Sequence, residues 1–599
     1  MDNTSRVNEP VFCGTAYVKG CAAGILLASD LELSLWGGVE PQTSEVIDRH
    51  HPLSGKILSD TILAIPGGRG SCTGSVVILE LLLNGKAPKA ILFERREDIL
   101  TLGVIVAEEI FGKTIPVVML EPADFASILK LNGEFLHVAD GHVSTQGFPN
   151  STPPISIGQT TAEMDLNYIK LSDLDRTILN GDLGDAARVA MRIVLRFADL
   201  LGAMELMDVT QVHVDGCGYN GPGCLAFAEN LRGRGGRVRI PTSLNSISVD
   251  KLLRQVQGPS DEFTLAAERL ADTYMEIGAR PTFTCAPYQL DSAPKFGEQV
   301  AWAESNAVVY ANSVLGARTM KYPDFLDICI ALTGRAPRGG PHVDINRKAT
   351  VVVGVLNVRR VSNIDDSFYP LLGYHVGALA PSEIPVIIGI ESLRPTNDDM
   401  KAFGAAFATV SSAPMFHVVG ITPEATTLEA ALTEDSDWRR VDVHLRDLLR
   451  PWEELNSASA GQSVDLISLG NPHFSFDEIR ALNDLCRGRK KHKDVAMMVT
   501  CGRTVYAAAY NAGMVNELEQ FGVRFITDTC WCMLGDPTIP RSQSATMTNS
   551  GKYAHYGPGL TGKSFYFGSI DRCVAAACEG ISTKDRPRWL EEAMTKSGE

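Results

Sequence analysis

The sequence predicts an α/β protein with a small N-terminal domain and a large C-terminal domain whose sheets are mostly parallel. Three observations support this prediction. The chain has 599 residues, which exceeds the size at which a single hydrophobic core stops growing. A polar, proline-bearing stretch near residue 150 interrupts the apolar pattern. After it, apolar runs typical of strands alternate with helical periodicities as far as the C-terminus.

These patterns place an N-terminal domain at 1–150, a linker at 151–171 and a large domain at 172–599. In the first domain, "TILAIP" predicts a strand and "SVVILELLLNG" a buried helix. "KAILFERRED", "LGVIVAEEIFG" and "IPVVMLEP" then read as strand, helix and strand. The large domain opens with one long helix from "SDLDRTILNG" to "FADLLGA", with Ser172 as its N-cap.

Composition limits the function classes. A formal net charge of −16 argues against a nucleic-acid-binding protein, which needs a basic face. The sequence contains no run of ~18 apolar residues, and "MDNTSRVNEP" has no secretory pattern, so we expect a cytoplasmic protein. The 13 cysteines, scattered over a long chain, do not form a secreted disulfide framework.

The stretch "IPGGRGSCTGS" at 65–75 lies between the first predicted strand and its helix. Glycines at 68, 70 and 74 let backbone N–H groups approach an anion, which the start of a helix also favours. Neither nucleotide-binding pattern fits, because the glycine spacing is one residue too long and no Gly-Lys-Ser/Thr follows. The loop is therefore either an anion cradle or a tight turn.

In the large domain several predicted strands end in Cys, Asn or His. They run into Cys217, into Cys285 after "ARPTFT", into Asn471-Pro472-His473, into Cys501, and into Cys530 with Cys532. Ligands of open α/β sheets bind beyond the carboxyl ends of strands, and thiolates there suit iron–sulfur or zinc. Each cysteine taken alone is also consistent with a small buried hydrophobe.

Two further clusters are polar. Residues 297–319 place Glu304, Ser305, Asn306 and Arg318 in or beside a helical run, which predicts either a helix lining a substrate site or a helix with one wet face. His473 is expected in a loop before a helix that Ser475 and Glu478 begin with a capping box.

"GPGLTGKS" at 557–564 matches the phosphate-binding P-loop pattern, but its expected surroundings are wrong. "MTNSGKYAHY" before it reads as polar and turn-like, and "SFYFGS" after it reads as a strand, with the next helix starting near Ser569. We expect a substrate-facing loop carrying Lys552, His555 and Lys563, or a solvated surface loop, rather than an ATP site.

Together these segments resemble the aconitase X family of the aconitase superfamily. "HPLSGKILSDTILAIPGGRGSCTGS" resembles the family's swivelling domain, which is a separate subunit in some members. Seven further segments resemble the family's large catalytic domain and occur in the same order: "VHVDGCGYNG", "TCAPY", "AWAESNAVVYANSVLGART", "GITPEA", "LGNPHFS", "DTC" and "MTNSGKYAHYGPGLTGK". The resemblance covers nearly the whole chain.

The resemblance implies a hydro-lyase. Fused members are similar to cis-3-hydroxy-L-proline dehydratases, which would form Δ1-pyrroline-2-carboxylate, whereas two-subunit archaeal members resemble mevalonate 5-phosphate dehydratases. Dehydration of another small hydroxy acid, or a non-enzymatic iron–sulfur protein, are the alternatives. The implied partner is a small hydroxy or imino acid, with no nucleic acid or membrane.

The resemblance also implies site residues. Ser71 would be the catalytic base, and Arg69, Gly70 and Ser75 would bind the substrate carboxylate. Cys285 and Cys530 would be cluster ligands.

In the archaeal-type pattern the residue before Pro-His is a third cysteine, but here it is Asn471. Cys217 is the expected replacement, with Cys72 and Cys532 as rivals. The change favours a [2Fe-2S] cluster over [4Fe-4S].

Residue chemistry suggests the remaining roles. We expect His213 or His473 to assist departure of the hydroxyl. Glu304 would hold the ring ammonium of the substrate, and iron would act as a Lewis acid.

Overall fold

The computed structural model describes residues 11–49, 51–148, 168–433, 438–535, 538–539 and 542–595. Most of the predicted linker at 151–171 lies outside the described residues. The strands are β1 Phe12–Val18, β2 Cys21–Ala28, β3 Thr61–Ile65, β4 Ala90–Phe93, β5 Val117–Leu120, β6 Phe135–Ala139, β7 His142–Ser144, β8 Leu206–Asp208, β9 Val212–Val214, β10 Thr242–Leu244, β11 Ala301–Trp302, β12 Arg335–Pro337, β13 Val351–Leu356, β14 Pro385–Ile388, β15 His417–Val418, β16 Arg439–His444, β17 Val464–Phe474, β18 Ala496–Cys501, β19 Val523–Ile526, β20 Ala545–Thr548 and β21 Phe565–Phe567.

The α-helices are spread along the described residues in the same alternation. They are α1 Gly74–Leu83, α2 Ile99–Phe111, α3 Pro122–Leu129, α4 Asp173–Asn180, α5 Asp185–Leu201, α6 Pro222–Gly233, α7 Arg254–Gln257, α8 Asp261–Ile277, α9 Ser305–Tyr310, α10 Leu326–Thr333, α11 Phe368–Leu379, α12 Asn397–Val410, α13 Leu428–Ala431, α14 Leu449–Leu455, α15 Phe476–Cys486, α16 Arg503–Asn511, α17 Met514–Phe521, α18 Gly551–Thr561, α19 Ile570–Glu579 and α20 Arg588–Thr595. Within the described residues, no helix combines the length and the apolar character that crossing a membrane requires.

The chain forms two compact units, of which the first contains 1–207, 220–236 and 323–338. Its N-terminal part is a closed barrel with strand order β1-β5-β4-β3-β2-β6-β7. β2 to β5 are parallel neighbours, and antiparallel β1, β6 and β7 complete the barrel. Leu26, Ile62, Leu92 and Val118 are among the side chains that fill its core, because the parallel strands are apolar along most of their length.

Within this unit, α1 and α2 of the barrel domain are bound to helices from further along the chain. The carboxylate of Glu80 on α1 is 1% exposed and accepts N–H hydrogen bonds from Gly223 (2.6 Å) and Cys224 (3.1 Å) at the start of α6. A Cβ on residue 223 would lie only 2.8 Å from Glu80 Oε1, so glycine allows this close approach.

Ion pairs join α2 to α5 in the same unit. Arg192 contacts Glu109 at 2.9 Å, and Arg196 contacts Glu108 at 2.6 Å. The barrel domain is therefore attached to the rest of its unit by a buried helix cap and by charge pairs.

The second unit contains 208–219, 237–322 and 339–599 and has three parallel sheets. Their strand orders are β10-β9-β11, β15-β14-β13-β16 and β19-β18-β17-β20-β21. All the pairings given for these sheets are parallel. The predicted fold class, α/β with mostly parallel sheets in the large domain, is confirmed.

Some elements differ from the sequence prediction. The long helix predicted after Ser172 is two helices, because Gly181 and Gly184 adopt positive φ between α4 and α5; the capping box at Ser172 is confirmed. "ARPTFT" is not a strand and makes only an isolated bridge at Arg280. The stretch before "GPGLTGKS" is not turn-like, since it contains the end of β20 and the first half of α18.

Candidate functional site

The Ser71 loop, residues 66–73, joins β3 to α1 in the first unit. Gly70 has φ +83°, a left-handed conformation that glycine adopts without strain. The Ser71 hydroxyl donates to Thr73 Oγ1 (3.1 Å) and accepts from the Thr73 N–H (3.2 Å). Ser71 is half-buried just before the N-terminus of α1. Negative charge on its oxygen would therefore be stabilised by the adjacent N–H group and by the helix dipole.

Two carboxylates contact this loop, Asp48 through an ion pair and Glu97 through close packing. Asp48 pairs with Arg69 at 3.0 Å. Glu97 is buried and accepts the N–H groups of residues 99–101 at the start of α2. Its Oε1 lies 2.7 Å from the place of a Cβ on Gly68, so only glycine fits there without displacement. Desolvation raises the pKa of Glu97 to about 7, with the nearby Asp98 carboxylate adding to the shift.

Ser75, predicted to bind the substrate carboxylate, is fully buried in α1. Its hydroxyl donates to the carbonyls of Cys72 (3.0 Å) and Asp324 (3.3 Å). A hydroxyl whose proton is directed to main-chain carbonyls has no donor left for a carboxylate. The contacts of Ser75 fix the loop, and Cys72 lies beside it in the same unit.

In the second unit, Cys285, Cys530 and Cys532 form a group that we call the thiol cluster. Cys285 lies in the loop before the short 3-10 helix Pro287–Gln289, and Cys530 and Cys532 follow β19. The Cys530 thiol hydrogen-bonds with both other thiols. Main-chain and amide N–H groups also reach sulfur: His473 N donates to Cys285 Sγ at 3.3 Å, and Asn471 Nδ2 donates to Cys532 Sγ at 3.1 Å.

The three thiols do not share the same proton affinity. Burial alone would raise the pKa of Cys285, but the Cys530 hydrogen bond and neighbouring positive charge bring it to about 5. Hydrogen bonding to Cys285 and Cys532 holds the pKa of Cys530 well above its ordinary value, whereas the same bond lowers that of Cys532. The cluster therefore favours thiolate at Cys285, the form that binds metal.

A buried ion pair lies beside the thiol cluster. Lys552 Nζ donates to Glu304 Oε1 at 2.8 Å, and Asn245 Nδ2 donates to Glu304 Oε2 at 3.2 Å. Burial acts to raise the pKa of Glu304, but the Lys552 ammonium outweighs it and lowers the pKa to about 2. Lys552 belongs to α18, not to the loop predicted from the sequence.

The polar helix α9 begins at this ion pair. Ser305, its first residue, is buried, and Asn306 donates to Glu304 Oε1 (2.6 Å) and to the Cys285 carbonyl (3.0 Å). The structure thus brings Glu304, Ser305 and Asn306 together near Cys285. Arg318 lies beyond the end of the helix, and its guanidinium pairs with the exposed Asp344.

The two predicted histidines differ in how many of their ring nitrogens form hydrogen bonds. Both ring nitrogens of His473 are engaged, Nδ1 with Thr284 Oγ1 (3.1 Å) and Nε2 with the Thr529 carbonyl (2.8 Å). His473 lies within β17 rather than in the predicted loop. Its capping-box neighbours Ser475 and Glu478 are confirmed.

In His213, Nδ1 contacts Ser243 Oγ (2.8 Å), while Nε2 is buried and meets no described group at full hydrogen-bond distance and angle, although Asn245 and the Thr284 backbone lie close enough to the ring to raise its pKa. Burial lowers the pKa of His213 to about 4 against the opposing effect of Glu304, so the ring is neutral at pH 7. Ser243 also donates to the Val212 carbonyl (3.3 Å), which lets it accept Nδ1–H and leaves Nε2 as a proton acceptor.

Cys217 has a different environment from the thiol cluster. Its thiol is buried and donates to the carbonyls of Asn245 (3.2 Å) and Val214 (3.5 Å). Carbonyl acceptors favour the protonated thiol, not the thiolate. The sequence alone could not distinguish Cys217 from Cys532, because both follow predicted strands.

The P-loop interpretation is excluded by the structure. Most of the motif "GPGLTGKS" is the C-terminal half of α18, with Pro558 inside the helix and Gly562 at its end. Carbonyls, not N–H groups, emerge there, so a phosphate would meet the wrong end of the dipole. Lys563 is paired with Asp465 at 2.9 Å, and His555 Nδ1 shares a hydrogen bond with the Tyr374 hydroxyl at 3.0 Å.

Several residues of these sites were not predicted from the sequence. Asp48 and Glu97 contact the Ser71 loop from separate segments, and Asn245 reaches Glu304 from the loop after β10. No local pattern distinguishes these residues, since each acts through a contact distant in sequence.

Family models match most of the chain. The aconitase X swivel domain matches residues 11–144, and the first, second and third aconitase X domains match 168–345, 349–453 and 464–579. A crystal structure of Thermococcus kodakaraensis aconitase X in its holo-form is similar over 68% of this chain and 100% of that one, with a TM-score of 0.61 and 30% identity.

Two similar proteins are named cis-3-hydroxy-L-proline dehydratase. The protein of Hypocrea jecorina is 58% identical over 97% of this chain and 98% of its own length. The protein of Pseudomonas aeruginosa is 49% identical over 96% of this chain and 98% of its own. With all four domain models matched, the chain belongs to the aconitase X family.

Proposed function

We propose that this protein is a hydro-lyase that dehydrates cis-3-hydroxy-L-proline to Δ1-pyrroline-2-carboxylate. The observation that carries the proposal is the 58% and 49% identity, over nearly the full length, to two proteins named for this activity. In the reaction the C2 proton and the C3 hydroxyl leave as water, and the resulting enamine tautomerises to the cyclic imine.

We propose Ser71 as the base that takes the C2 proton. An ordinary serine hydroxyl is a weak base, but the Thr73 N–H and the N-terminus of α1 stabilise the alkoxide form. Arg69, held by Asp48, is proposed to bind the substrate carboxylate together with the backbone at Gly70.

The second group of roles belongs to the thiol-cluster region. Glu304 stays ionised beside Lys552 and is proposed to receive the ring ammonium, with Ser305, Asn306 and Lys552 completing the polar wall. His213, whose Nε2 meets no described group at full hydrogen-bond distance and angle, is better suited than His473 to accept and return a proton near the C3 hydroxyl.

Aconitase-superfamily membership suggests an iron–sulfur cofactor, and the donor set of the thiol cluster fits one. Among the described residues, no three His, Cys, Asp or Glu side chains converge as they would on a single metal ion. The thiols of an iron–sulfur cluster are distributed over two or more irons, so all of them need not converge on one point.

We propose Cys285 and Cys530 as ligands, and a [2Fe-2S] rather than a [4Fe-4S] cluster because Asn471 replaces the third cysteine of the archaeal-type pattern. For the third ligand, the contacts support Cys532 over Cys217. Iron would supply Lewis-acid polarisation of the substrate oxygen.

The test of the proposed function compares substrates and variants. Purified anaerobically, the protein should release pyrroline-2-carboxylate from cis-3-hydroxy-L-proline and leave trans-3-hydroxy-L-proline and mevalonate 5-phosphate unchanged. Ser71→Ala should lower kcat at least 1,000-fold, roughly the range lost with a positioned base, with an unaltered melting curve and visible spectrum. Ser127→Ala, at a partly exposed position of α3, is the matched control.

The ligand assignment is tested by iron content. Cys285→Ser and Cys530→Ser should each lose iron, and Cys532→Ser should lose more iron than Cys217→Ser. Full iron and full colour in Cys285→Ser would remove that residue from the ligand set. Turnover at the wild-type rate in Ser71→Ala would remove Ser71 from the mechanism.

A further inference from the structure

The two segments that carry Cys285 and Cys530 share an unusual backbone feature. Two residues before Cys285, Phe283 has φ +42°, and two residues before Cys530, Asp528 has φ +61°. Side chains disfavour this left-handed region, most strongly when they are as large as Phe. Such conformations persist only where surrounding contacts impose them.

One arginine contacts both of these residues. The Arg503 guanidinium forms a two-pronged ion pair with the Asp528 carboxylate, with Nη2 at 2.6 Å from Oδ2 and Nε bonded to Oδ1. The same guanidinium lies over the Phe283 ring, 4.9 Å from its centre. A planar guanidinium can pair through its edge and stack through its face at once, which a lysine cannot do.

Asp528 itself is fully buried and further constrained. Its carbonyl accepts from Ile247 N–H (2.7 Å), and Oδ2 also accepts from Lys251 N–H (3.1 Å). These hydrogen bonds restrain the Asp528 backbone, and Arg503 links Asp528 to Phe283 by pairing with one and packing on the other. Without the guanidinium, no other described contact joins Phe283 to Asp528.

A second connection lies one residue closer to each thiol. The His473 ring spans from the Thr284 hydroxyl to the Thr529 carbonyl, at 3.1 and 2.8 Å. Gly502, next to Arg503, packs against this connection, with its Cβ position 3.3 Å from Thr284 Oγ1. Two successive cross-connections thus join the Cys285 segment to the Cys530 segment.

We infer that Arg503 is a positioning residue that sets the separation of Cys285 and Cys530 by holding Phe283 and Asp528 against each other. This inference rests on the proposed function in so far as the two thiols are cofactor ligands. Arg503 contacts neither thiol in any described interaction, and it acts through the backbone that carries them. Loss of the guanidinium should let the two segments separate while the cores of the sheets remain packed.

The experiment measures thiol separation directly and does not depend on turnover. Full-length protein, stripped of iron anaerobically with a chelator, is treated with dibromobimane, which links thiols only a few ångströms apart. Mass spectrometry then gives the yield of the Cys285–Cys530 link relative to the Cys530–Cys532 link. The second link lies within one loop and serves as an internal reference.

Arg503→Met should lower this ratio at least fivefold. Arg503→Lys keeps the positive charge but lacks the planar guanidinium with its paired N–H donors, so it should give an intermediate value. Iron per chain in the untreated protein should fall in the same order. The matched control is Arg480→Met, because Arg480 also pairs with an aspartate (Asp477) and lies 5.4 Å from a Phe ring (Phe476), on the exposed surface of α15.

An unchanged link ratio in a folded Arg503→Met protein would overturn the inference. If that variant does not fold, Asp528→Asn, which keeps the left-handed conformation accessible, carries the same expectation and the same contrary result. Failure of the proposed function gives a different pattern, in which Cys285→Ser and Cys530→Ser retain iron while the link ratio still depends on Arg503.

Discussion

The Ser71 loop and the thiol cluster are built in opposite ways. The polar contacts of Ser71 come from Thr73, two residues away, on a loop whose shape depends on glycines. The hydrogen bonds of the Cys285 thiol come from residues about 190 to 250 positions later in the chain, His473 and Cys530. The loop depends on local backbone conformation, whereas the cluster depends on buried side chains from distant segments.

This difference predicts which changes each region tolerates. A substitution near the Ser71 loop should alter catalysis or pH dependence with a limited cost in stability, except where a buried carboxylate lies beneath it. A substitution beside the thiol cluster should leave a buried charge without its partner, which lowers the free energy of unfolding by more. The following predictions, from the largest effect to the smallest, test this contrast.

Lys552→Met should have the largest effect. It leaves the buried Glu304 carboxylate without its cation, and breaking a buried pair in this way costs about 3–5 kcal/mol of the free energy of unfolding. Urea denaturation at pH 7 measures the loss. The double variant Lys552→Met/Glu304→Gln, which removes the orphaned charge, should recover a large part of it.

A single-variant loss below about 1 kcal/mol, typical of an exposed pair, would contradict the buried-pair interpretation. Acid titration offers a second check. The pKa of Glu304 lies near 2 in the folded protein, below its ordinary value of 4.5. Its contribution to stability is therefore present above pH 4.5 and is lost as the pH falls toward 2.

Glu97, beneath the Ser71 loop, should make stability depend on pH in the opposite direction. Its pKa rises from 4.5 to about 7 on folding, because burial disfavours the carboxylate. The stability this group contributes is complete below pH 4.5 and is lost as the pH rises through 7, by about 3 kcal/mol at 1.36 kcal/mol per pKa unit. Melting curves from pH 4.5 to 8 measure this slope.

Glu97→Gln should make the slope shallower over this interval, whatever its effect on absolute stability. Burial also raises the pKa of Glu80, Asp366 and Glu478 to about 7, and these groups should supply the slope that remains. Glu94→Gln, three residues earlier, is the control and should leave the slope in place. A slope in Glu97→Gln as steep as in the wild type would show that Glu97 does not contribute to the pH dependence.

Arg69→Gln should raise KM by about thirtyfold with a smaller change in kcat, since a charge-assisted hydrogen bond to a carboxylate contributes about 2 kcal/mol. Steady-state kinetics with cis-3-hydroxy-L-proline give both constants. Asp48→Asn keeps the guanidinium and loses only its ion pair, so its KM should change by less than Arg69→Gln changes it. Equal KM values for Arg69→Gln and wild type would place carboxylate binding elsewhere.

Gly68→Ala should cost about 1–2 kcal/mol, because the new methyl group would lie 2.7 Å from Glu97 Oε1 and that carboxylate is held by three N–H groups. The neighbouring Gly67→Ala is matched to it, since its Cβ would meet Arg95 at an ordinary 3.4 Å. Thermal melting of the two variants should differ. Identical melting temperatures would show that the loop yields more readily than the close contact implies.

The contrast between the two regions also explains what the sequence could predict. The strand–loop–helix unit around Ser71 was predictable because apolar periodicity and glycine spacing are local. The parallel sheets followed from the same periodicities. His473 and Lys552 were found by residue type, but their elements were not, because β17 continues through Asn471-Pro472-His473 and α18 begins within a stretch of small polar residues.

The thiol cluster could be predicted only through resemblance. Cys217 and Cys532 each follow an apolar run, and nothing local tells a thiol that donates to a carbonyl from one that accepts hydrogen bonds. Arg503 gave no signal in the sequence, since its contacts with Phe283 and Asp528 span distant segments. Long-range pairing of single side chains is what periodicity and spacing do not encode.

The cap that Glu80 places on α6, together with the arginine pairs between α2 and α5, has a consequence for gene architecture. These contacts join α1 and α2 to α6 and α5 through side chains that lie on either side of the interval 149–167 in the sequence. A polypeptide cleaved in that interval would keep the contact residues of α1 and α2 on one piece and those of α5 and α6 on the other. The same contacts could therefore form whether the barrel is a separate subunit or the N-terminal part of one chain.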